Sequence, residues 1–240
     1  MAEFKVIGEV IESSTTEFMA ESRELHSPPP FGSFAKVLSN GQESPAQTVT
    51  FNRPKDEEED PFDAFRRNEG AFGRQYHGDS EPVPGLQPAI YAVVYQATTT
   101  SVDSSRKLRA YWKGEEQLKE EQPELSEWML VTNFRAIIIG YSTNGRVCQF
   151  LPPQPPKLLT QVEPCTPEEV KYITSRMGFL RTLANSRSAP TEEVIAACIR
   201  EASGAWSNDE EFLIAAGKEL ATLMKDDYDR LQAIMRRVAP

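Results

Sequence analysis

The chain has 240 residues, 39% of them hydrophobic, with 18 prolines and a formal net charge of −10. That length holds one large or two modest domains, and the polar balance fits a folded body carrying a long solvated insertion. So acidic a chain repels a phosphate backbone, which disfavours direct nucleic-acid binding, and its apolar runs fall well short of the ~20 residues that cross a bilayer. Met1 to Lys5 lacks the apolar core of a secretory signal, so a cytoplasmic protein is expected. Cys148, Cys165 and Cys198, with His26 and His77, show no ligand spacing; the cysteines read as small buried or half-buried thiols in a reducing compartment.

Phe4 to Glu12 reads as a first strand, with Gly8 marking a bulge or tight bend. Thr15 to Met19 returns as a second strand. Pro28-Pro29-Pro30 then imposes a stiff, extended connection, and Gly32 permits backbone geometry that other residues resist. Phe34 to Leu38 is the third strand, closed by the turn dipeptide Asn40-Gly41.

Gln42 to Gln87 carries ten acidic and five basic residues and reads as a disordered or loosely held insertion. Phe62, Phe65, Phe72 and Tyr76 stand out within it. Aromatics in a solvated loop are either anchors that order on a partner or tuck back onto the protein's own barrel.

The two most strand-like runs follow. Pro88 to Tyr95 opens a fourth strand, Ala89 to Thr98, and Phe134 to Tyr141 lies in a fifth, reached from Trp128. Both are apolar at nearly every position, which predicts burial on both faces. Between them lies a charged connection with a short helix around Gly114 to Glu121. Arg106, Lys107, Arg109 and Lys113 flank Tyr111 and Trp112 there, a pattern that binds single strands. Acids follow at once, so a solvated connection with Trp112 packed on the core is expected. Asn144-Gly145 is a tight turn and Arg146 to Leu151 a sixth strand, with Pro152 to Pro156 ending the sheet as a rigid exit.

Helical patterns then take over. Thr166-Pro167-Glu168-Glu169 combines an N-cap, a first-turn proline and a capping-box glutamate, and Val170, Ile173, Met177 and Leu180 form one stripe. Thr191 is expected to cap a second helix ended by Gly204. Ser207 to Glu210 reads as another capping box, opening a third helical segment with a kink or break at Asp226-Asp227. Met177, Met224 and Met235 read as core filler.

Catalytic signatures are sparse. Gly217-Lys218 lacks the rest of a phosphate loop, Gly70 to Gly73 follows no strand, and the two histidines sit in loops away from any marked nucleophile. Zinc-ligand spacing is missing, and no cofactor is indicated. A metal-assisted hydrolase built on Glu and Asp alone stays open.

Gly8 to Ile11, Pro29 to Val37, Ile90 to Tyr95, Ala136 to Tyr141, Leu151-Pro152-Pro153, Val162, and the Glu168-Glu169-Val170 helix start follow one another in that order. Together they resemble the HAS barrel, the N-terminal barrel shared by HerA-type DNA translocases and rotary ATP synthases. The likeness runs over residues 4–170 apart from the acidic insertion. It implies a barrel that assembles ring subunits or docks partners, such as the nuclease that accompanies HerA. The chain departs from the family where a RecA-like ATPase with its phosphate loop should follow, so ATP hydrolysis does not carry over.

The expectation is therefore an α+β protein. A small β-barrel of about six strands spans 1–159, with the insertion at 42–87, and a helical domain spans 160–240. Its expected role is a non-catalytic adaptor or assembly module that binds a protein, an ATPase or nuclease among the candidates, with self-association open. The alternatives are an enzyme with a carboxylate site at the barrel mouth, favoured by a deep pocket of converging carboxylates, and a regulator of the ATP synthase.

Overall fold

A computed structural model describes residues 6–39, 83, 85–103, 112–121 and 129–238. The strands are β1 (Gly8–Ser13), β2 (Glu17–Ser22), β3 (Phe34–Leu38), β4 (Ala89–Ser101), β5 (Leu130–Thr143), β6 (Arg146–Cys148) and β7 (Gln161–Pro164). A short helix, α1 (Glu115–Glu121), lies between β4 and β5. After β7 come α2 (Pro167–Thr174), α3 (Gly178–Ala184), α4 (Thr191–Ser203), α5 (Asp209–Leu223) and α6 (Tyr228–Val238).

The strands form one antiparallel sheet in the order β2-β1-β7-β3-β4-β5-β6, and β2 also pairs with β5. That last pairing closes six strands into a barrel, which removes the sheet edges that otherwise recruit other chains. The fold is thus α+β, a six-stranded barrel followed by five helices.

The two long apolar runs owe their composition to facing two cores, with side chains alternating between them. Ile90, Ala92 and Val94 of β4, with Ala136 and Ile138 of β5, point into the barrel and meet Val10, Phe18, Ala20, Ala35, Val37, Phe134 and Val162. Tyr91, Val93 and Tyr95, with Ile137 and Ile139, point outward into a second core built with the helices.

Several local expectations need correction. The barrel's sixth strand is β7, beyond the proline run, while β6 is only a hairpin extension of β5 through the Asn144-Gly145 turn. Proline cannot donate to a ladder, so Pro152 to Pro156 does interrupt pairing. The chain then crosses back, and Ile7 and Val162 are tied by an amide-to-carbonyl bond of 2.9 Å. The irregularity in β1 falls between Val10 and Glu12 instead of at Gly8. Gly8 makes room for a ring: a Cβ there would lie 2.8 Å from Cε1 of Phe134 and 2.4 Å from the Glu21 carbonyl oxygen. Trp112 is 94% exposed, so it does not pack on the core.

Among the helices, the Thr166 capping box forms as read, but the stripe that follows breaks between α2 and α3. The Gln149 carboxamide sits in the break. It donates to the carbonyls of Ile173 and, at 2.6 Å, Arg176, and it lies against Gly178, where a Cβ would meet its Oε1 at 2.7 Å. Thr191 does not cap α4, because its hydroxyl donates to the Ser186 and Ala189 carbonyls. Ser207 to Glu210 does not form a box either: Asn208 occupies the cap position and makes no side-chain cap bond. The break near Asp226-Asp227 is real, and Asp227 Oδ1 accepts from the Arg230 amide at 3.1 Å. Met224 is core filler and Met177 half-buried filler, but Met235 is 42% exposed.

Candidate functional site

The lumen is packed with apolar side chains, several of them wholly buried, which leaves the outside of the barrel as its working surface. Three features stand on that outside: a polar seam under the helices, a cleft beside it, and an overhanging ribbon.

The seam centres on Lys36. Period-2 alternation in β3 sends Ala35 and Val37 inward and Lys36 outward, beneath α2. Its Nζ lies 2.8 Å from Glu169 Oε1 and 3.6 Å from Glu163 Oε2. The other Glu169 oxygen accepts from the Thr166 amide at 2.8 Å. One carboxylate thus serves the capping box and the ion pair together, tying β3 to the start of α2. Two carboxylates meet here, but both are held by one buried ammonium in a packed wall. Beside them, burial pushes the Cys165 thiol well up, with Glu169 adding to the shift and Lys36 opposing it. Such a thiol stays protonated and is a poor nucleophile. Burial likewise drives the Tyr91 hydroxyl far above the usual phenol range, while a hydrogen bond from Ser142 pulls the other way.

The cleft, about 510 Å³ in volume, lies where Pro29, Pro30 and Phe34 meet Cys165, Val170 and the Arg200–Glu201 end of α4. Gly32 sets how closely these parts approach. Its φ of +86° suits glycine, and a Cβ would fall 2.5 Å from the Ala197 Cβ. Its amide donates to the Val94 carbonyl at 2.8 Å, so the proline segment is fixed to the barrel and pressed on α4. The cleft walls are chiefly apolar, and Arg200 also donates to the Arg237 carbonyl.

At the barrel rim, Arg135 lies 2.9 Å from Glu12 and 3.5 Å from Glu17, and Glu17 accepts from Tyr95 Oη at 2.8 Å. Burial, then the Glu17 hydrogen bond, raises the Tyr95 hydroxyl to about 12. These carboxylates are matched by an arginine and a phenol on the outer wall and do not converge on a cavity. From the same rim β4 and β5 run on together, and β4 is exposed from Gln96 to Thr100.

Phe62, Phe65, Phe72 and Tyr76 lie outside the described residues, as do His77, Asn40 and Gly41. His26 is exposed in a loop, where its amide donates to Thr132 Oγ1 at 2.9 Å. The three cysteines are free thiols, Cys198 buried and the other two half-buried. Among the described residues no group of three His, Cys, Asp or Glu side chains could hold a metal ion. No helix of the described residues is long and apolar enough to cross a membrane. Sequence reasoning missed the cleft and the seam. The prolines signalled the cleft's stiff wall, and only the pairing of residue 36 with residues 163 and 169 could have revealed the seam. No protein-family model matches the chain, and no curated protein matches it.

Proposed function

We propose that the protein is a non-catalytic adaptor or assembly module that binds another protein through the outside of its barrel and helices. The filled lumen carries this reading: Phe18, Phe134, Ile138 and their neighbours occupy the space in which a carrier barrel would hold its ligand, which leaves the outer surface for binding. The closed six-stranded architecture is compatible with the HAS-barrel resemblance, and the sequence lacks the phosphate loop of the translocases that carry that barrel. A barrel of this type fits a docking module that serves an ATPase or a DNA-processing nuclease.

The test is a pull-down of the tagged protein from its own cell extract, with mass spectrometry, beside a variant lacking Gln42 to Gln87. A stoichiometric partner that re-forms a complex from purified components supports the adaptor. Loss of that partner on deletion assigns the contact to the insertion and its Phe62, Phe65, Phe72 and Tyr76; retention assigns it to the barrel or helices. ATPase or nuclease turnover by the pure protein would sink the reading.

A further inference from the structure

Beyond the closed barrel β4 and β5 run on as a two-stranded ribbon, and β4 has an open edge there. β3 pairs with β4 only from Ala89 to Val93, and the Gly32 and Ser33 bonds to Val94 end that contact. A bulge between Val94 and Gln96 follows, after which β4 continues with β5 to the pair Ser101 and Leu130. Among the described residues nothing pairs with the other edge of β4 beyond that bulge.

The direction of the free backbone groups can be worked out. Val102 N donates to Met129 O at 2.9 Å. Antiparallel alternation back from that bond turns the N–H and C=O of Thr100, Thr98 and Gln96 towards β5. Those of Ser101, Thr99 and Ala97 point away from it. The Thr99 and Thr132 hydroxyls, 2.8 Å apart, fit the close approach of a pair that shares no backbone bonds.

Natural edges are guarded by charge, proline or cover. Gln96-Ala97-Thr98-Thr99-Thr100-Ser101 has neither charge nor proline, and its run of threonines favours extended backbone. We propose that this edge receives an extended peptide strand from a partner protein, a reading that rests on the adaptor function and gives it a binding mode.

Size and charge define the occupant. Six residues span about 20 Å, and one added strand about 5 Å wide covers roughly 100 Å² of edge, far below the ~800 Å² per partner of a stable dimer, so a peptide fits the edge better than a second folded copy. The uncharged edge suits a strand core of β-branched residues, which pair well across from threonine. A chain of net charge −10 draws in basic residues flanking that core. The partner segment is therefore an uncharged, β-branched strand with Lys or Arg at its ends.

The probe is a fluorescein-labelled peptide of alternating valine and threonine with a lysine at each end, added to the full-length chain. Its control is the same peptide with alternate amides N-methylated. Amide exchange by NMR in the free protein should be fast at Ala97, Thr99 and Ser101 and slow at Gln96, Thr98 and Thr100. The probe should slow the first set and the control should not. Ala97→Pro removes an outward donor without touching the β5 ladder and should weaken probe binding about tenfold or more. Ala97→Lys gives the same reading if the proline disturbs the ribbon. Slow exchange of the outward amides in the free monomer would mean that the chain covers its own edge. Protection that grows with protein concentration would mean that a second copy does. Either result, or unchanged binding in both variants, overturns the proposal. A pull-down partner kept by Ala97→Pro leaves the adaptor standing and removes only the edge.

Discussion

Inside the barrel, Phe18, Phe134, Ile138 and Val10 pack in one apolar cluster, and the packing is fixed by shape. Outside, the same strands meet helices across a wall that mixes Ile137 and Val93 with Tyr91, Lys36 and the two glutamates that hold it. The lumen needs no orientation signal because ladder pairing already sets its geometry. A helix laid on a sheet has no such ladder. Directional contacts, namely Lys36 to Glu169, Gln149 to the end of α2, and Gly32 against Ala197, fix where the helices sit. Shape thus closes the barrel, and polar or steric detail positions what is packed on it.

The largest expected effect falls inside. Phe134→Ala empties a fully buried site beside Gly8 and should lower stability by about 3–5 kcal/mol in urea unfolding. A loss below about 1 kcal/mol would mean that the lumen collapses freely, and the contrast between the two walls would weaken. Next comes the seam. Lys36→Ala leaves the half-buried Glu163 and Glu169 without their buried cation and should destabilise by about 2–3 kcal/mol. Lys36→Met combined with Glu169→Gln should recover part of that loss in a double-mutant cycle, whereas strict additivity would deny the coupling.

Gly32→Ala should follow, at about 1–3 kcal/mol, because it combines a positive φ with a clash on α4. Amide exchange should rise first in α4 while the barrel strands stay protected; uniform loss would show that the two cores unfold as one. The smallest effect is silent at neutral pH. Tyr95 is raised to about 12 from an ordinary 10.0, so the folded state keeps a proton that the unfolded state sheds between those values. The associated stability is complete below the lower value and is lost as pH rises through the upper one. Tyr95→Phe should lessen the drop in urea midpoint between about pH 9 and about pH 11. Part of the drop should remain, since Tyr91 shifts in the same direction. An identical drop in the variant would remove Tyr95 from the account.

What could be read from the chain followed how local its cause was. β3, and the apolar cores of β4 and β5, declared themselves because two-sided burial leaves an apolar residue at nearly every position. The Thr166 box was legible because all its atoms lie within one turn. β7 was not, since Val162 is its only fully buried residue and one inward side chain makes no period. The end of β4 was missed by three residues because threonines after an apolar run look like a turn, while here they continue the ladder with β5. Thr191 and Ser207 looked like caps by type, but whether a hydroxyl caps depends on where the helix starts and what else it can reach. The break between α2 and α3 was invisible because the side chain that satisfies its carbonyls, Gln149, lies far away in sequence. The seam and the cleft share that origin, being assembled from the Pro29 to Lys36 segment and residues beyond 160.

The closing pair of the barrel sets a timetable for its birth. Gly8 pairs with Ser22 across a short turn, but its neighbour on the other side is Val162. At roughly 5–20 residues per second of synthesis, the wait between those two partners is on the order of ten seconds. Throughout that interval a nascent chain carries a first strand mated on one side only, with its apolar side chains bared. Slowing translation before Gln161 should lengthen this exposure and raise the aggregated fraction, whereas a slow stretch after Pro164 should leave it unchanged.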